Sequence, residues 1–215
     1  MWDHPPVSLA LAAVLGYLLG SVPFGLVIVR AAGLGDIREI GSGNIGATNV
    51  LRTGRKDLAA ATFLLDSGKA AIALLLAQKL FGYEAGFIAG GAAFLGHCFP
   101  VWLNFKGGKG VATFFGVLFA GLPWVGLACA AIWVLAAIAL RYSSLAALLA
   151  AFAAPLIEFA LRDPSRGIVP VSFCAVLGVL IFVRHQANIT RLFQGAEPRI
   201  GAKKTPSPVG EATSE

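Results

Sequence analysis

Val7–Val29 reads VSLALAAVLGYLLGSVPFGLVIV, an apolar run without a single charged side chain. A helix that crosses a hydrocarbon core about 30 Å thick needs roughly 20 mostly apolar residues, so this run predicts a membrane span. It is too long for the apolar core of a secretory signal. Met1–Ser8 also carries Asp3 and His4 but no Lys or Arg, so no cleaved leader is expected. Working outward, six more apolar stretches follow: Leu58–Gln78, Ala85–Leu103, Val111–Leu122, Trp124–Leu140, Leu145–Leu161 and Ile168–Val183. Val111–Leu122 is the short one, rising only about 18 Å as a helix. It must begin earlier, within Gly107–Gly110, or be re-entrant. Gly121-Leu122-Pro123 keeps it apart from the next span. The expectation is an all-α, polytopic integral membrane protein of seven transmembrane helices. Residues 1–193 then form a single membrane domain. Residues 194–215, with Pro198, Pro206, Pro208, Gly201 and Gly210 and few apolar side chains, read as a disordered cytoplasmic tail.

Composition agrees along the whole chain. Of 215 residues, 57% are apolar and 13% charged, against about half and about a quarter in soluble domains. Mean hydropathy is +0.78, and Gly, common in membrane helices, occurs 26 times. A disordered chain and an ordinary soluble enzyme are excluded. A net charge of +6 would suggest nucleic acid in a soluble protein. Here the cations sit in short loops between spans, and no nucleic-acid partner is expected.

Those cations also orient the chain. With the N-terminus outside, the inside segments hold 13 of the 17 Lys and Arg residues. The outside loops hold Lys79, Arg162 and Arg166, and Lys69 falls within the second span. The positive-inside rule therefore predicts an outer N-terminus and a cytoplasmic C-terminus. An odd number of spans argues against a simple inverted-repeat transporter.

The same sorting gathers the polar motifs on one side. The first is Gly41-Ser42-Gly43-Asn44-Ile45-Gly46-Ala47-Thr48-Asn49, followed by Arg52. The second is Lys106-Gly107-Gly108-Lys109-Gly110-Val111-Ala112-Thr113, the third Arg141-Tyr142-Ser143-Ser144, and the fourth Arg184–Arg191. Gly-rich loops let backbone N–H groups converge on an anion. Arg supplies a bidentate fork for phosphate and Lys a point charge. Two such loops on one face can hold two phosphates. The second loop lacks the GxxxxGK[ST] spacing and a preceding strand, so ATP binding is not indicated. His185 and Asn188 are i and i+3 and share a helix face. Asp66 and Lys69, also i and i+3, read as a structural intramembrane pair, because pairing lowers the cost of charge at that depth. His97 reads as a hydrogen-bonded histidine at a helix end. Cys98, Cys129 and Cys174 lie in apolar stretches without ligand spacing and read as small packed hydrophobes. No metal and no cofactor are expected.

Together, Ser21-Val22-Pro23-Phe24-Gly25, GSGNIGATN with Arg52, GHCFPVWLNFKGGKGVAT (Gly96–Thr113) and RHQANITRL (Arg184–Leu192) carry a resemblance. The chain resembles the bacterial acyl-phosphate:glycerol-3-phosphate acyltransferase family (PlsY-type) from the first span to Leu192. The resemblance implies seven spans in the inner membrane of a bacterium and a cytosolic active site. It implies transfer of a fatty acyl group from acyl phosphate to the 1-hydroxyl of sn-glycerol 3-phosphate, giving lysophosphatidic acid and phosphate. It leaves room for coupling to the soluble enzyme that makes acyl phosphate. The implied catalytic residues are Ser42, Arg52, Lys109, Ser144, His185 and Asn188. The implied substrate-binding residues are Gly41, Gly43, Asn44, Gly46, Thr48, Asn49, Gly107, Gly108, Gly110 and Thr113. No acid stands five residues after His4, His97 or His185, so the His-x-x-x-x-Asp acyltransferases do not apply. No carboxylate is placed as a base. An acyl-phosphate oxygen is the expected proton acceptor, with His185 as the alternative. A membrane transporter of a phosphorylated metabolite and a noncatalytic scaffold are the rival readings from other classes. A transporter's site belongs near the bilayer midplane, and these motifs do not.

Overall fold

The computed structural model describes residues 5–201, apart from the side chain of Arg166. Ten α-helices and no strand occur among the described residues: α1 Pro6–Gly20, α2 Phe24–Ala31, α3 Ala47–Val50, α4 Lys56–Phe81, α5 Tyr83–Cys98, α6 Val111–Gly121, α7 Pro123–Leu140, α8 Ser143–Leu161, α9 Val169–Arg184 and α10 Gln186–Phe193. In lipid no water can satisfy a free backbone group, so an apolar chain must pair its own peptide groups as helix. The outward faces carry exposed Leu64, Trp124, Leu135, Ile138 and Val179, and the charged Asp66 and Lys69 lie inside. This is the arrangement of an integral membrane protein.

Each boundary has a local cause. Pro23 lacks an N–H and restricts Val22, so the first apolar run breaks into α1 and α2 at Ser21–Pro23. Together they still make a crossing of 26 residues. Gly82, at φ 91°, turns the chain between α4 and α5. Pro123 starts α7 at a position where its missing N–H costs nothing. Small residues let α1 and α5 approach closely: β-carbons at Gly16 and Gly20 would overlap the backbone of Ala89 and Ala93.

The span count differs from the sequence expectation at two places. Five helical segments are long and apolar enough to cross a bilayer, and six if α9 and α10, bent by 62°, count as one. The missing one is α6. Gly110 stands at φ 84°, which no α-helix accommodates, so α6 starts at Val111 and gains nothing from Gly107–Gly110. With 11 residues it rises about 16 Å. α7 follows it after Leu122 and packs against it. The third apolar stretch also stops early as helix, at Cys98, and Val101–Leu103 forms a separate short turn.

The principal core is Ala-, Phe- and Leu-rich and lies among α4, α5, α6, α8 and α9. A second, small core of Leu26, Val29, Ile37, Ile45, Val50 and Ala59 sits under the first polar loop. That loop is thus carried on packing of its own.

Candidate active site

The first loop is built around Asn49, which is 1% exposed. Its Nδ2 donates to the carbonyls of Ile37 (3.0 Å) and Ile40 (2.8 Å), and its Oδ1 accepts from the backbone N–H of Ser42 at 3.1 Å. With its polar atoms engaged in this way, Asn49 shapes the loop. On the flank of the loop, Asp36 binds Arg38 and Arg30, each at 2.6 Å. The hydrogen bond from Arg38 is the main reason its carboxyl lies well below the usual range.

The second loop leaves α5 through an unusual turn. Asn104 and Phe105 both adopt positive φ, 50° and 61°. The Gly107 and Gly108 N–H groups donate to the carbonyls of Cys98 (3.1 Å) and His97 (3.0 Å). Their own carbonyls accept from the Arg184 guanidinium at 3.0 and 3.1 Å. Arg184 in turn lies over the Phe99 ring, 5.0 Å from its centre. So these two glycines have no N–H left for an anion. Gly108 is needed because a β-carbon there would overlap the His97 ring.

What the loop presents is Lys109. Its Nζ donates to Asn188 Oδ1 at 2.6 Å, across 79 positions of sequence. Burial pushes its ammonium pKa down to about 8, and Arg191, Arg52 and Arg184 push the same way while Glu197 opposes. Asn188 Nδ2 donates to Glu197 Oε1 at 2.7 Å, and Ser144 Oγ donates to the same oxygen at 2.7 Å. Arg191 Nε reaches Glu197 Oε2 at 2.8 Å. Burial alone would raise the Glu197 carboxyl; the hydrogen bonds from Ser144, Asn188 and Arg191 outweigh it and hold the carboxyl below its ordinary value.

His185 stands in the bend between α9 and α10, 2% exposed. Its Nδ1 lies 2.8 Å from the Ile181 carbonyl. A carbonyl only accepts, so Nδ1 carries the proton and the neutral ring leaves Nε2 as an acceptor. The imidazole is oriented by backbone, with no carboxylate behind it.

These groups share one cavity of about 670 Å³. Gly41, Ser42, Asn44, Gly46, Thr48, Asn49 and Arg52 line it from the first loop, and Lys109 and Gly110 from the second. Ser144, His185 and Asn188 line the opposite wall. Four expected residues are not on the wall: Gly43, Gly107, Gly108 and Thr113. Thr113 is fully buried and donates to the Gly110 carbonyl at 2.8 Å, so it secures the start of α6. Away from the polar rim the wall turns apolar, with Phe63, Phe115, Phe119, Trp133 and Val134.

Sequence reasoning missed Glu197, Asp66 and His97 as parts of this cavity. Glu197 falls in the 194–215 segment that the sequence reads as a disordered tail. Instead, residues 194–201 fold back: Glu197 enters the cavity, and the Ile200 N–H donates to the Arg141 carbonyl at 2.7 Å. Residues 202–215 lie outside the described chain. The signal that was available was one acid close behind the cations of RHQANITR.

Residues 10–195 match the family described as Glycerol-3-phosphate acyltransferase. A glycerol-3-phosphate acyltransferase of Rhodospirillum rubrum is 57% identical over 212 residues, covering 95% of this chain and 96% of the relative. One of Jannaschia sp. is 60% identical over 194 residues, covering 90% and 93%. Two crystal structures are similar, both of PlsY (YgiH), an integral membrane glycerol 3-phosphate acyltransferase. The glycerol 3-phosphate form superposes with a TM-score of 0.84 at 42% identity, covering 90% of this chain and 96% of the other. The lysophosphatidic acid form gives 0.83 at 41%, with the same coverage.

Proposed function

The chain belongs to the glycerol-3-phosphate acyltransferase family and is an integral membrane enzyme of the PlsY type, and from that premise we propose that its acyl donor is acyl phosphate. The acceptor is the 1-hydroxyl of sn-glycerol 3-phosphate, and the products are lysophosphatidic acid and inorganic phosphate. The observation that carries this reading is the two-part cavity. Its rim sets Arg52, Lys109 and Arg191 around polar side chains, and its inner wall is aromatic and aliphatic. Two anionic heads and one fatty chain are the ligands such a cavity accommodates.

The chemistry follows from the layout. Acyl phosphate is a mixed anhydride, already activated, so no covalent intermediate on the protein is required. The glycerol oxygen attacks the acyl carbon, and the tetrahedral adduct collapses by breaking the bond to the phosphate oxygen. Phosphate leaves with the electron pair and takes the hydroxyl proton on one of its own oxygens. The protein's part is positioning and a fixed electrostatic field. Lys109 and Arg52 hold phosphate and offset the charge that grows on the leaving group. Ser42, Asn44 and Thr48 hold the substrates at the first loop, with Ser144 and Asn188 opposite. His185 Nε2 accepts a hydrogen bond from a glycerol hydroxyl.

The rim is built from segments of the expected inside set, which together hold 13 of the 17 Lys and Arg residues, and by the positive-inside rule it faces the cytoplasm of a bacterial inner membrane, with the N-terminus outside. A soluble enzyme that makes acyl phosphate can then deliver it to the rim. Two measurements test the proposal. Purified protein should form lysophosphatidic acid from acyl phosphate and not from acyl-CoA; the reverse preference would sink the donor assignment. A reporter enzyme fused after Leu192 should be active in the cytoplasm, and a periplasmic readout would overturn the orientation.

A further inference from the structure

The cluster of Asp66, Lys69 and His97 lies just inside the cavity, and the reaction above makes no use of it. All three are almost fully buried, at 1%, 3% and 4% exposure. Lys69 Nζ donates to Asp66 Oδ1 at 2.7 Å, to the Val22 carbonyl at 2.7 Å and to His97 Nδ1 at 3.1 Å. The Val22 carbonyl is available because Pro23 breaks the first span there. The Phe24 ring lies 5.7 Å from the same ammonium. An ammonium can only donate, so His97 Nδ1 accepts and its Nε2 carries the hydrogen. That edge of the ring abuts Gly108, where no β-carbon fits. The His97 carbonyl takes the Gly108 N–H at 3.0 Å. From the other side Arg184 holds both glycine carbonyls. Lys109 is the next residue.

We propose that Asp66, Lys69 and His97 are positioning residues, a buried strut that fixes the Gly107–Gly108 segment and thereby the place of the Lys109 ammonium. The inference rests on the assignment of Lys109 to phosphate. Two neighbouring glycines would otherwise leave Lys109 on a conformationally permissive backbone. A cation that must meet a developing charge cannot be left to a mobile loop, because misplacement by about 1 Å costs around a hundredfold in rate. The ion pair supplies the rigidity. Lys69 cannot move without stranding Asp66, and His97 is tied to Lys69.

His97→Leu is the direct test, since it leaves the Asp66–Lys69 pair intact and removes the imidazole that joins Lys69 to Gly108, while the backbone bond between residues 97 and 108 stays. The doubly substituted Asp66→Asn, Lys69→Met removes both charges together, so neither remains uncompensated. Two readouts are taken on full-length protein: turnover with acyl phosphate, and binding of inorganic phosphate by calorimetry, which needs no donor. Both variants should melt close to the parent, lose about a hundredfold in kcat, and bind phosphate at least tenfold more weakly. In a Lys109→Ala background, His97→Leu should add no further loss of phosphate binding. Folded variants with parental turnover and parental phosphate affinity would overturn the strut. So would a full additional loss of binding in the Lys109→Ala background, which would mark a general structural role. If the parent itself fails to turn over acyl phosphate, the donor assignment falls, and the binding arm still decides the strut.

Discussion

Lys69 and Lys109 are both withdrawn from water, Lys109 on the wall of the cavity and Lys69 behind the Asp66 and His97 that line it, yet their surroundings are opposite. Lys69 has a carboxylate at 2.7 Å, a carbonyl at 2.7 Å and an imidazole nitrogen at 3.1 Å. Lys109 has one neutral amide oxygen at 2.6 Å, and its charged surroundings are Arg191, Arg52 and Arg184 against Glu197 alone. A buried ammonium whose acceptors are all supplied by the protein has finished its work on folding. One left among other cations waits for an anion from outside. Structural and functional lysines are separated here by who provides the counter-charge.

The comparison breaks most readily on stability against activity. Lys69→Ala leaves Asp66 buried without its cation and should destabilise by about 3–5 kcal/mol, seen as a large fall in melting temperature. Lys109→Ala and Arg52→Ala should melt like the parent. Truncating one partner of a desolvated charge pair typically costs about 2–5 kcal/mol, so each should lose roughly thirty- to several-thousand-fold in kcat/KM. If Lys109→Ala unfolds as readily as Lys69→Ala, the distinction between the two lysines is lost.

A pH series sharpens it next. With its pKa lowered to about 8 by burial, Lys109 loses its charge in the folded protein well below the ordinary lysine value. Affinity for inorganic phosphate should fall as pH rises through about 8. A bound dianion favours the charged form, so binding near pH 8.5 should take up protons, measurable by calorimetry in buffers of different ionisation heat. Stability runs the other way. Between about 8 and the ordinary lysine value the unfolded chain holds more protons at this residue, so its contribution to stability rises with pH. Affinity that is flat from pH 7 to 9.5 would refute the role given to burial.

His185→Asn probes the far wall with a smaller effect. Asn keeps a hydrogen-bonding group, so KM for glycerol 3-phosphate should rise while kcat changes little. Burial lowers the His185 pKa to about 4, so a collapse of kcat at unchanged KM, with loss of a titration in that low range, would make His185 the general base. The smallest effects are expected away from both lysines. Lys106 is exposed, and Lys106→Ala should reduce activity far less than Lys109→Ala. Cys98, Cys129 and Cys174 are buried in apolar packing, and the triple Cys→Ala protein should keep most of its turnover.

Much of this arrangement was legible in the linear chain because its causes are local. Apolar runs of the right length specify membrane helices, since each peptide group in lipid must be satisfied within its own segment. Pro23, Pro123 and Gly82 mark breaks through their own backbone chemistry. Asp66 and Lys69 stand one helical turn apart, so their pairing needs only helix geometry. Even the shortness of α6 was visible; the positive φ of Gly110 then closed the option of an earlier start.

What only the tertiary structure decided are meetings between distant residues. Lys109 finds Asn188 across 79 positions, and Ser144 finds Glu197 across 53. Near Glu197 in the chain only Asn188 and Arg191, nine and six residues earlier, hint at its place; that the segment turns back so that Ser144 of α8 donates to the same carboxylate is set by packing. Gly107 and Gly108 looked like an anion nest by composition. Packing spends their N–H groups on the carbonyls of α5 and fills the missing β-carbon space of Gly108 with the His97 ring. Local chemistry sets which segments become helix. Which polar groups are satisfied by the protein, and which are left for a substrate, depends on how those helices pack.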